Sequence, residues 1–130
     1  MELAIKLSGA LQILLALLHF GFPRKFNWEA ELPRLSLLNS QIMKVHTFFI
    51  ALLLFLLGVL SLTSSHLLIE GELGHRICLG IAIFWAIRFI FQLFVYSPSL
   101  WKGQTLETVI HVLFCMLWLF FTWSYLDPIL

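Results

Sequence analysis

"IMKVHTFFIALLLFLLGVLSL", residues 42–62, decides the fold. Crossing the hydrocarbon core of a bilayer takes about 20 predominantly apolar residues in a helix. This stretch meets that length with Lys44 as its one charged side chain. Its apolar residues run continuously and do not alternate with period two, which excludes a lipid-facing barrel strand; a barrel would in any case need at least about eight such strands. Residues 3–20, 77–96 and 106–125 have the same character. The expectation is an all-α fold, an integral membrane four-helix bundle of up-down topology, with residues 1–130 forming a single transmembrane domain.

Composition agrees. With 61% hydrophobic residues, 12% charged residues and a mean hydropathy of +0.97, the chain has too little polar surface for a soluble domain of 130 residues. A formal net charge of +1 and the absence of any block of like charge give no reason to expect a nucleic-acid partner. The first apolar stretch follows a signal peptide in carrying Lys6 beside an apolar run. However, "HFGFPRKF" (19–26) stands where a small-residue cleavage site would be, so the stretch is read as the first helix. Cys78 and Cys115 fall at different depths of their helices and are not expected to bridge.

The connections differ in kind. Residues 21–41 mix Phe26 and Trp28 with Arg24, Lys25, Glu29, Glu31 and Pro33, a pattern suited to a short amphipathic piece in the interface. "TSSHLLIEGELGHR" (63–76) reads as a polar loop with Gly71 and Gly74 as breakers, and with His66 and His75 solvated. "SPSLWKGQ" (97–104) reads as a tight turn around Pro98 and Gly103. Arg24, Lys25, Arg34, Lys44 and Lys102 lie at the end of the first and third connections, against Lys6 and Arg76 at the other. The positive-inside rule therefore sets the first and third loops in the cytoplasm and both termini outside.

Polar residues inside the spans carry the functional expectation. His19 closes the first helix, His46 lies about one turn into the second, and His111 about two turns into the fourth, all toward the same side. Arg88, Gln92 and Tyr96 recur every four residues and share one face of the third helix. Glu107, His111 and Cys115 do the same on the fourth, and Ser8, Gln12 and His19 line the first. A charge at membrane depth costs about 3 kcal/mol even on the lenient insertion scale, so such groups turn inward and pair. Glu107 and His111 are thus expected to face His46, Gln92 and Arg88. Ser8, Gln12 and Cys115 are read as polar glue between helices.

Three chemistries fit this set. The first is redox work with haem b: His46 and His111 as axial ligands, Arg88 or Lys44 on the propionates, Gln92 and Tyr96 completing the cofactor site, and electrons passing to a quinone near Tyr96 or Trp101. In outline four spans with membrane histidines are similar to b-type cytochromes, in architecture alone, and no C-x-x-C-H haem fingerprint occurs. The second is a single transition-metal ion (Fe, Zn or Cu) on His19, His46 and His111, with Glu107 and Arg88 as catalytic groups acting on a lipid ester or amide. The third is a small proton-coupled transporter built as a homodimer.

Overall fold

The computed structural model of the chain describes residues 1–95 and 103–130. Among these described residues seven α-helices follow one another: α1 (Glu2–Leu18), α2 (Phe22–Lys25), α3 (Trp28–Glu31), α4 (Leu37–Thr63), α5 (Ser65–Ile69), α6 (Gly71–Phe94) and α7 (Thr105–Leu126). Among the described residues four segments are long and apolar enough to cross a membrane: Glu2–Lys25, Leu37–Thr63, Gly71–Phe94 and Thr105–Leu126. The protein is thus an all-α, multi-pass integral membrane protein. Large apolar side chains stand exposed along these helices, among them Phe48, Phe49 and Ile50 of α4 and Ile83, Ile87 and Ile90 of α6. In a water-soluble protein such continuous apolar surface would be a liability, whereas lipid solvates it.

Two compact units make up the chain, Lys6–Ser64 and Met1–Ile5 with Ser65–Leu130. In the first, α1 and α4 meet through glycines. A Cβ added at Gly58 would stand 2.5 Å from Ile13 Cγ1 and 2.6 Å from the Gly9 carbonyl, and one at Gly9 would stand 2.8 Å from the Gly58 carbonyl. Backbones this close depend on small residues, and van der Waals contact of this kind is what holds helices together where lipid removes the hydrophobic drive. The α1–α4 link is not extended: 3-10 turns at His19–Gly21 and Leu32–Arg34 flank α2 and α3. Asn27 supplies the left-handed residue between α2 and α3. Ser36 then caps α4, its Oγ accepting from the Asn39 amide at 3.2 Å.

In the second unit α5 folds back against the start of α6. Gly71, at φ +79°, turns the chain into α6. Gly74 lies so close to the Leu67 and Leu68 carbonyls that no side chain fits there. His75 Nε2–H donates to the Ile69 carbonyl at 2.6 Å, the Cys78 thiol to the Leu68 carbonyl at 3.5 Å, and Ser65 to Glu2 at 3.1 Å. The expected loop 63–76 is therefore largely helical, and the third spanning helix begins at Gly71 rather than at residue 77. Of the two expected breakers, only Gly71 turns the chain; Gly74 is a packing residue inside α6. His66 is exposed, but His75 is half-buried and bonded rather than solvated.

α6 and α7 form the core of this unit. Trp85 contacts Phe121 and Trp118, while Gln92 contacts His111, so rising numbers on α6 meet falling numbers on α7 and the pair is antiparallel. Trp85, Trp118 and Phe121 pack across the pair and are buried, and Tyr125 of α7 is buried as well.

Candidate functional site

Residues four apart on a helix lie one above the other, so α6 carries Arg88 and Gln92 on one side, with Trp85 one turn earlier. α7 answers with His111, Cys115 and Trp118. The Gln92 side chain joins the two helices. Its Oε1 accepts from Trp118 Nε1 at 3.3 Å and from Arg88 Nη1 at 3.5 Å, and its Nε2 donates to His111 Nδ1 at 2.9 Å. Arg88 also stands over the Trp118 ring, its guanidinium carbon 5.0 Å from the centroid, a cation–π arrangement.

The amide orientation follows from donor chemistry. Arginine and the tryptophan indole only donate, so the oxygen of Gln92 faces them and its NH2 faces His111. An NH2 requires an acceptor; His111 Nδ1 therefore bears no proton. The neutral ring then carries its proton on Nε2, which points to Cys115 Sγ at 3.7 Å. For Nε2 to coordinate iron or zinc the ring would need its proton on Nδ1, and the Gln92 amide would have to turn its NH2 toward two donors. The network thus works against metal ligation by His111 in this arrangement.

Beside the polar group lies a flat aromatic stack. Phe114 and Trp118 have ring centroids 5.4 Å apart at 15°, and Trp118 and Trp85 5.1 Å apart at 10°. Gln92 (8% exposed) and Trp118 (4%) are buried, whereas Arg88, His111, Phe114 and Cys115 are half-buried. A buried pair thereby orients a more accessible set. Trp85 is 2% exposed, and its Nε1–H has no acceptor among the described residues.

Of the residues singled out in the sequence, Arg88, Gln92 and His111 come together. Glu107 is exposed in the first turn of α7, where a negative charge is favourable beside the unpaired amides of a helix N-terminus. His46 is exposed on α4. His19 is half-buried, its Nδ1–H donating to the Leu15 carbonyl at 2.8 Å and its ring 4.5 Å from that of Phe22. Tyr96, Pro98, Trp101 and Lys102 lie outside the described residues. Among the described residues no group of three or more His, Cys, Asp or Glu side chains is placed to hold a metal ion. Trp85 and Trp118 were not singled out. Their signal was positional: Trp85 precedes Arg88 by three residues and Trp118 follows His111 by seven, each sharing the polar face of its helix.

No protein-family model, curated protein or solved structure matches this chain.

Proposed function

We propose that this membrane protein binds the planar head group of a lipid-soluble redox carrier of the quinone class on the Arg88–Gln92–His111 face of α6 and α7, and serves electron or hydrogen transfer. The observation that carries this reading is the buried Trp85 indole N–H, which has no acceptor among the described residues, set against the Trp118 stack and one turn from Arg88. Leaving such a donor unsatisfied costs about 1–3 kcal/mol. Positions bearing that kind of penalty are functional-site candidates, and so are ionisable groups inside a membrane.

A quinone suits this donor set. Its two carbonyl oxygens only accept, and Trp85 Nε1–H and the Arg88 guanidinium donate. Its ring is flat, like the Phe114–Trp118–Trp85 stack. Reduction adds electron density to the oxygens, and the Arg88 guanidinium stabilises that charge strongly in a low dielectric. Gln92 acts by positioning: it holds His111 in the Nε2–H form and fixes Arg88 and Trp118. The cytoplasmic side of the first connection, inferred from its basic residues, belongs to the same proposal.

Binding of decylubiquinone to the purified full-length chain in detergent tests the reading, followed by isothermal calorimetry alongside an absorption spectrum and elemental analysis. The expected result is one quinone per chain, with affinity reduced about ten-fold or more in Arg88→Leu. Absence of binding would defeat it. A Soret band that is lost in His46→Ala or His111→Ala would assign haem instead, and one equivalent of Fe, Zn or Cu would assign a metal centre.

A further inference from the structure

A second feature of the chain lies in the unit Lys6–Ser64. A cleft of about 150 Å³ opens where α1 ends and α4 begins, lined by His19, Phe20, Trp28, Lys44, Thr47 and Phe48. We infer that it holds the head group of an anionic glycerophospholipid.

Three observations support this occupant. First, the lining is graded along α4: Lys44 stands nearest the start of the helix, Thr47 follows, and Phe48 and the buried Ala51 lie deeper. A phospholipid has the same order, with phosphate outermost, ester groups next and acyl chains beneath. Second, the charge matches. Lys44 lines the cleft, and Pro23 brings α2, which ends in Arg24 and Lys25, to its edge. The acids Glu29 and Glu31 are exposed on α3 and do not line it. Basic pockets at the ends of spanning helices recognise anionic head groups in this way. Third, the size fits. Sites that enclose a whole drug-sized ligand measure about 300–1,000 Å³, so this cleft takes a head group and leaves the acyl chains outside, over the exposed Phe20 and Phe48.

The polar atoms have assigned tasks. Lys44 meets the phosphate. His19 spends Nδ1–H on the Leu15 carbonyl, which leaves Nε2 as an acceptor for a head-group hydroxyl. Thr47 donates to the Met43 carbonyl at 2.8 Å, so its oxygen likewise accepts. Two acceptors beside one cation favour a head group carrying hydroxyls, such as phosphatidylglycerol, over one ending in a quaternary amine.

The test is native mass spectrometry of the full-length protein in dodecyl maltoside, given equal amounts of dioleoylphosphatidylglycerol and dioleoylphosphatidylcholine. Preferential retention of one phosphatidylglycerol is expected, reduced about five-fold in Lys44→Gln and kept in Lys44→Arg and Lys6→Gln. Equal retention of the two lipids would overturn the inference, as would undiminished phosphatidylglycerol on Lys44→Gln. Displacement by millimolar inorganic phosphate would also overturn it, in favour of a soluble phosphate compound. Should Lys44→Gln fail to fold, the wild-type lipid preference and its survival in Lys44→Arg decide the matter.

Discussion

Gln92 and His111 are joined across α6 and α7 by a 2.9 Å hydrogen bond from the amide nitrogen to Nδ1. The amide oxygen of Gln92 serves two further donors, Trp118 and Arg88. One side chain therefore couples three others, and its removal leaves donors without their acceptor. Gln92→Leu is expected to destabilise the protein by about 1–3 kcal/mol, the range for a stranded buried donor. In a thermal denaturation cycle with His111→Leu, the double variant should lose less than the sum of the single losses. Additive losses would mean that the bond does not contribute.

Helix contact in the other unit makes a separate prediction. Gly58→Leu places a side chain against Ile13 and the Gly9 backbone, so overpacking should cost about 1–3 kcal/mol or more. Gly80→Ala serves as the control, since a Cβ there meets nothing within 4 Å; it should be neutral or raise stability by up to about 1 kcal/mol through helix propensity. Melting temperatures in one detergent compare the two. Equal behaviour would contradict the close α1–α4 approach.

Glu107 gives a third. It is exposed in the first turn of α7, and Arg88 contacts Gln92 and Trp118. Glu107→Gln and Arg88→Leu should therefore act additively on stability, and quinone affinity should fall with Arg88→Leu alone. A large coupling energy between them would restore Glu107 to the site.

Membrane orientation is checked independently. A reporter fused after Leu130 should be active outside the cytoplasm if the proposed orientation holds, with Arg24, Lys25, Arg34, Lys44 and Lys102 set against Lys6 and Arg76. Activity inside would reverse the assignment and move the Lys44 cleft to the outer surface.

The class of fold was legible because membrane length and apolar content are properties of single segments, as residues 42–62 illustrate. The period of four in Arg88 and Gln92 was legible for the same reason. What escaped depended on tertiary approach. Gly74 reads as a breaker in a polar run, and only the return of α5 onto it makes it a packing residue inside α6. Glu107 and His111 share a face by spacing, yet Glu107 sits in the first turn and His111 a full turn deeper, where Gln92 reaches it. Trp85 and Trp118 were hidden because aromatic residues in a membrane helix serve lipid contact and site building alike; the partner helix distinguishes the two roles.

Photolabelling decides whether the Arg88–Gln92–His111 face binds a quinone. An azido-quinone is cross-linked to the full-length protein and the adducts are mapped by peptide mass spectrometry, with and without excess decylubiquinone. Competable labels are expected on α6 around Trp85–Gln92 and on α7 around His111–Trp118. Labels confined to other segments, or labels that excess quinone does not displace, would contradict it.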